Sequence, residues 1–268
     1  MRWFFALNEA CSTFPLYADL IKVAVLSARS HTKLTPCFLY DGQPNALTDW
    51  LEARGVAVVQ HRSKFRERLK AMSKECKRPD IFRIGSGAFL RVDLPEVIVR
   101  LGWSDERILY TDCDVMFARD PEPDLSRVRC ERFAVAPEFD PGDYDRINTG
   151  VMVMNVPSLY RDREPFARFI WRNLDRLVDT AWDQEAYRLY YRRKLPFLPN
   201  GWSRLAPTLN WKPYWGENAA ASIIHFHGPK PFHEEMVRNR QVPAELLRLG
   251  SQAYFTYCSL WRQYLEAV

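Results

Sequence analysis

The chain opens with strand-length apolar runs, Trp3 to Leu7, Cys37 to Tyr40 and Val56 to Val59, separated by segments of helical periodicity. Leu16 to Ala28 sets Leu16, Leu20, Val23 and Ala24 on one helical face, and Ala46 to Ala53 forms a second helix. Alternation of this kind predicts a parallel-containing sheet with helices on its faces. The basic stretch Lys64 to Arg78 reads as a solvated helix or mobile loop. Ala88 to Leu101 reads as one helix with Phe89, Val92, Val97, Ile98 and Leu101 apolar, its first turns disturbed by Pro95. Strands follow at Arg107 to Tyr110, Phe133 to Ala136 and Val151 to Asn155, the last ended by Pro157. Arg163 to Leu177 and Ala181 to Tyr191 are helical. The part from Leu195 is rich in Pro, Gly and Trp until a short strand at Ile223 to Phe226. Ala244 to Ala267 is then a long, aromatic-rich helical tract.

With 268 residues the chain suits one core with a decorated C-terminal part. A composition 47% hydrophobic and 26% charged is that of a folded globular protein. The net charge of +5 suits an anionic ligand or a membrane surface and does not imply nucleic acid. The six cysteines contain no C-x-x-C pair, so neither a zinc site nor a disulfide framework is suggested and a reducing cytosol fits. No apolar run approaches the length of a membrane span; the expectation is a cytoplasmic protein, soluble or membrane-peripheral.

The run "RILYTDCDVMF", Arg107 to Phe117, carries two aspartates near its middle. If the strand continues through them, Asp112 and Asp114 point to one side and Cys113 to the other. At the C-terminal end of a strand in an open α/β sheet, that side is where ligands bind. Two hard oxygen donors there suit Mg2+ or Mn2+ bound together with a diphosphate. If the strand ends at Tyr110, the pair is an exposed turn instead.

The ordered set "ILYTDCDVMF", "INTGVMVMN", "WDQEAYR" and "IIHFHGPKPF" resembles glycosyltransferase family 8, the retaining sugar-nucleotide transferases that include glycogenin and bacterial lipopolysaccharide galactosyltransferases. The similarity runs from the first strand to about Phe232. It implies an α/β GT-A fold, a single mixed central sheet flanked by helices, over residues 1–232, with 233–268 a helical extension packed on it. It also implies a nucleotide-sugar donor, usually a UDP-sugar, and Mn2+ on its diphosphate, with Mg2+ the alternative. By this resemblance Asp112, Asp114 and His225 bind the metal, and imidazole suits Mn2+ better than Mg2+. Asn8, Tyr17, Arg91, Cys113, Glu138, Asn148, Gly228 and Lys230 join the aspartates in the nucleotide-sugar site, Tyr17 by stacking on the base. The chain departs from the family in having one residue fewer between Gly228 and Lys230, and Pro15 and Leu16 where acidic residues usually precede the tyrosine.

Cleavage of the bond between sugar and diphosphate needs charge stabilisation on the leaving group, which a metal and Lys230 would supply. Retention also needs a group on the opposite face of the sugar. The resemblance puts Asp183 on the sugar hydroxyls and Gln184 on that opposite face; Asp183 equally suits a helix N-terminus. A saccharide or glycolipid acceptor is expected, with "NWKPYWG" (Asn210 to Gly216) offering aromatic surface. The aromatic C-terminal tract either packs on the domain or lies on a membrane. The alternatives are a GT-A transferase with another donor or an inverting outcome, and a catalytically silent nucleotide-sugar binding protein.

Overall fold

A computed structural model describes residues 1–193, 195 and 198–268. In chain order its elements are β1 (Arg2–Asn8), α1 (Phe14–His31), β2 (Thr35–Asp41), α2 (Ala46–Glu52), β3 (Ala57–Gln60), α3 (Arg66–Glu75), α4 (Pro79–Ala88), α5 (Leu94–Arg100), β4 (Arg107–Thr111) and β5 (Val115–Phe117). There follow α6 (Glu122–Arg127), β6 (Phe133–Pro137), β7 (Ile147–Asn155), α7 (Val156–Val178), α8 (Trp182–Tyr191), β8 (Trp202–Arg204), β9 (Ile223–His225), α9 (Glu234–Arg238), α10 (Ala244–Leu247) and α11 (Gln252–Leu265).

Seven strands form one mixed sheet in the order β3-β2-β1-β4-β7-β6-β8. From β3 to β4 neighbours run parallel, β7 is antiparallel to both β4 and β6, and β8 is parallel to β6. Alternation along β1 sends Phe4 to one face and Trp3 and Phe5 to the other, all fully buried. The Phe4 face is covered by α3, α4, α5, α7 and α8, the Trp3 face by α1 and α2. Helices on both faces are what strands apolar on both sides require. A second sheet of two strands pairs β5 with β9, His225 lying opposite Val115. It packs outside α1, where Met116 and Ile224 meet Leu20 and Val23 together with Tyr254, Tyr257 and Trp261 of α11. The aromatic C-terminal tract is thus committed to protein packing along that face.

Several elements differ from the sequence pattern for identifiable reasons. The basic stretch forms α3, which buries Leu69 and Met72 and is a packed helix. The expected helix Ala88 to Leu101 is broken into a 3-10 turn, Phe89–Asp93, and α5, because Pro95 in the first turn of α5 has no N–H for the preceding turn and crowds its carbonyl. Pro157 ends no strand but sits in the first turn of α7, where a missing N–H costs nothing; the Asn155 side chain caps this helix by accepting from Ser158 N. The final tract is interrupted between α10 and α11. A Cβ on Gly250 would lie 2.6 Å from Val237 Cγ1, and Ser251 starts α11 afresh by accepting from Tyr254 N. Among the described residues no helix is long and apolar enough to cross a membrane.

Candidate functional site

β1 and β4 are parallel neighbours, while β2 lies on the far side of β1, so the chain departs in opposite directions from their C-terminal ends. A crevice opens at such a switch point. Here it is a cleft of about 270 Å³ that collects Asn8, Tyr17, Arg91, Asp112, Cys113, Asp114 and Lys230. A larger cleft of about 830 Å³, lined by Phe14, Tyr40 and Trp50, has no comparable convergence of buried charge. Asn8 donates from Nδ2 to Arg83 O, and its Oδ1 is buried without a partner among the described residues. The α4 backbone comes so close to Asn8 that a Cβ on Gly87 would meet Nδ2 at 2.5 Å. Burial raises the Tyr17 hydroxyl above its ordinary pKa, the Asp114 charge adding to the effect.

Asp112 to Asp114 are not part of a strand. β4 ends at Thr111, the chain bends, and β5 starts at Val115 in the other sheet. The two carboxylates therefore converge through a bend between sheets, and not through strand alternation. Cys113 turns away and donates to Ala6 O at 3.0 Å. β9, paired with β5, brings in His225, and one donor atom each from Asp112, Asp114 and His225 lie within 4.8 Å of one another. Hydrogen bonding orients the imidazole. Asn210 donates through Nδ2 to Asn148 Oδ1, so its own Oδ1 faces His225 Nδ1 at 2.9 Å and accepts the ring proton. Nε2 points at the carboxylates, 3.3 Å from Asp114 Oδ1 and 4.0 Å from Asp112 Oδ2. Asp114 Oδ1 is buried with no hydrogen-bond donor among the described residues. Converging lone pairs of two carboxylates and an oriented imidazole fit a divalent cation. Lys230 Nζ lies on Asp114 Oδ2 and also donates to Phe226 O at 2.9 Å. Against the desolvation that burial imposes, Lys230 holds the Asp114 carboxyl well below the usual range.

Behind this cluster Arg91, on the 3-10 turn, reaches three groups. Nη2 donates to Asp112 Oδ1 at 2.8 Å, Nη1 to the Thr149 carbonyl, and Nε approaches Asp183 Oδ2 at 2.7 Å. The last contact is off the hydrogen-bonding direction, so it is charge pairing that leaves both atoms without a formal partner. Burial accordingly pushes Asp183 up to about 7, with Arg91 opposing. Asp183 and Gln184 occupy the first turn of α8, entered through Trp182 at a φ of 53°. Both ends of the Gln184 amide are engaged by protein: Oε1 accepts from Asn148 Nδ2 and Thr149 N, each at 3.0 Å, and Nε2 donates to Glu138 Oε1 at 2.8 Å. Gly228 adopts a φ of 110°, and a Cβ there would lie 2.9 Å from Leu249, so conformation and packing both demand glycine.

Two residues outside the sequence-derived set shape the site. Gly150, within "INTG", passes so close that an added Cβ would lie 2.1 Å from His225 Cε1 and 2.9 Å from Asp112 Oδ2. Asn210, within "NWKPYWG", orients His225 as described. The glycine was visible as part of a motif, whereas nothing local marks the asparagine.

No protein-family model matches the chain, and no curated protein matches it. Solved structures do. The chain is similar to the glycosyltransferase GlyE of Streptococcus pneumoniae TIGR4, with TM-score 0.63 and 15% identity, over 99% of this chain and 63% of that one. It therefore spans less than two thirds of GlyE's length. It is also similar to the galactosyltransferase LgtC in complex with donor and acceptor sugar analogues, with TM-score 0.65 and 16% identity, over 100% and 96%. Mouse xyloside xylosyltransferase 1 gives TM-score 0.57 and 14% identity, over 84% and 97%. At these identities the likeness is one of fold, and the fold is that of the GT-A glycosyltransferases.

Proposed function

We propose that the protein is a metal-dependent retaining glycosyltransferase that moves a hexose from a nucleotide-sugar, a UDP-sugar, to a saccharide or glycolipid acceptor. The observation that carries this reading is the convergence of Asp112, Asp114 and the oriented His225 at the switch-point cleft, with the Arg91–Asp183 pair directly behind. LgtC, of the same fold, holds donor and acceptor sugar analogues, in keeping with the reading. The imidazole among the donors favours Mn2+ over Mg2+. A divalent cation bound there supplies Lewis-acid stabilisation of the departing diphosphate.

The chain's own residues do the rest. Asn8 and Tyr17 line the nucleotide end of the cleft, where the ring stacks on the base. Lys230 exchanges part of its contact with Asp114 for a phosphate oxygen, adding a fixed positive charge where negative charge develops. Gly228 lets the backbone approach the diphosphate. Asp183 receives the sugar hydroxyls, and Arg91 holds it and Asp112 in register. Gln184 presents a fixed dipole beside the sugar, with Asn148 and Glu138 completing the polar wall.

Thermal unfolding with UDP-glucose, UDP-galactose and other UDP-sugars in Mn2+, Mg2+ or EDTA tests this directly. A ligand that binds only the native state raises its stability. A rise with one donor that EDTA removes is the expected result, accompanied by UDP release on adding saccharide. Absence of metal-dependent stabilisation by every nucleotide-sugar would refute the reading, and binding without any UDP release would leave a binding protein.

A further inference from the structure

The turn containing Pro213 to Trp215 lies over the end of β6 and grips it by three successive carbonyls. Lys212 Nζ donates to Pro137 O at 2.5 Å, Tyr214 Oη to Glu138 O at 2.6 Å, and Trp215 Nε1 to Phe139 O at 2.5 Å. The turn is braced from outside: Ser251 at the head of α11 donates to Pro213 O at 2.8 Å, and Trp211 Nε1 donates to Gly216 O at 2.8 Å. Lys212 is fully buried, its ammonium 4.4 Å from the centre of the Trp215 ring. Burying a lysine against a single carbonyl is expensive, and an apolar residue of similar length would pack there at less cost to stability. Stability alone does not account for it.

What the turn holds does account for it. Glu138, the middle residue of the gripped segment, accepts from Gln184 Nε2, and Gln184 Oε1 then faces Asn148 and Thr149 N. Reversal of that amide would set its oxygen against the Glu138 carboxylate and its NH2 against two donors. Its orientation therefore depends on the position of Glu138 as well as on Asn148 and Thr149. The same Tyr214 hydroxyl meets His227 Nδ1 at 2.9 Å, tying the turn to the segment that follows β9.

We infer that the turn Lys212–Trp215 is a positioning device which, through Glu138, sets the orientation of the Gln184 side-chain amide, making Lys212 and Tyr214 positioning residues for sugar transfer. This rests on the proposed function only in placing Gln184 beside the donor sugar. "NWKPYWG" thereby acquires a role other than aromatic surface for an acceptor, since Lys212, Tyr214 and Trp215 each donate to a carbonyl at or just past the end of β6.

Two measurements on Lys212→Met and Tyr214→Phe test it. The first needs no substrate: solvent exchange of the Gln184 side-chain amide protons by NMR, assigned by their loss in Gln184→Glu. Slow exchange in the parent, at least about tenfold faster in both variants, is expected as the amide loses its fixed partner. The second is steady-state turnover of the UDP-sugar. A small misplacement near the reacting atoms costs up to about a hundredfold, so kcat should fall about ten- to a hundredfold with donor KM within about twofold. In a Glu138→Ala background, Lys212→Met should cost kcat nothing further, whereas a purely structural lysine would lower it additively. Unchanged amide exchange in both folded variants overturns the inference, as does full additivity. Accelerated exchange without any UDP-sugar turnover by the parent would leave the positioning device standing and remove the transferase reading instead.

Discussion

His225 Nε2 and Asp114 Oδ1 face each other at 3.3 Å, because the other ring nitrogen is turned to Asn210 Oδ1. A contact of this kind is unfavourable until a cation or proton stands between the atoms. Mn2+ should therefore stabilise the protein against unfolding, by about 2.7 kcal/mol when it exceeds its Kd a hundredfold. Asp114→Asn should abolish that stabilisation and metal-dependent nucleotide binding while leaving the circular dichroism spectrum unchanged. Equal Mn2+ stabilisation of parent and variant would count against the site.

Asn210 reaches the proposed cation site through His225. Asn210→Ala removes the group that orients the ring, and such outer partners are worth about ten- to a hundredfold in metal affinity. Mn2+ titration followed by electron paramagnetic resonance should show weakening in that range, and an unaltered Kd would separate Asn210 from the site.

Gly150→Ala places a methyl where His225 and Asp112 already sit. Overpacking of this kind costs about 1–3 kcal/mol, read as a shift in urea midpoint. The loss of Mn2+ affinity should exceed that of Asn210→Ala, because the ligands themselves are displaced. A variant that binds Mn2+ normally would show that the β7 backbone yields more easily than its surroundings suggest.

Trp261 is almost completely buried between α11 and α1. Trp261→Ala should lower stability by about 3–5 kcal/mol, in a single transition if α11 unfolds together with the sheet. An earlier, separate transition would show α11 to be an independent unit.

Burial holds the Lys212 ammonium well below its usual pKa, the Glu138 charge offsetting only part of the effect. A depressed folded-state value means that the unfolded chain binds more protons from that value up to about 10.4, so this lysine makes stability rise with pH across the window and fall as pH falls. Relative to Lys212→Met, the parent should gain stability as pH rises towards about 10, at up to about 1.4 kcal/mol per pH unit. Urea midpoints that run parallel with pH would show that the lysine keeps its charge in the fold.

Where the pattern of the chain announced an element, one local rule was enough. β1, β2 and β4 are apolar on both faces, and α1 carries an unbroken stripe. β5 was not legible as a strand of its own, because Val115 to Phe117 continues the apolar run of β4 and its partner β9 comes from the far end of the chain. Asp112, Asp114 and His225 could be singled out from spacing and resemblance, and the structure brings them together. The roles of Asn210 and Lys212 were hidden, since each depends on which carbonyl or ring atom it meets after folding.

The ribbon of β5 and β9 has a consequence for the timing of assembly. β1, β2 and β4 lie in the first half of the sequence and can pair while the chain is still being synthesised, yet His225 and its orienting Asn210 emerge much later. Until they arrive, the paired aspartates have no imidazole beside them, and β5 has no strand to hold it. The full set of Asp112, Asp114 and His225 can thus assemble only after residue 225 has been made, which distinguishes a finished molecule from a nascent one.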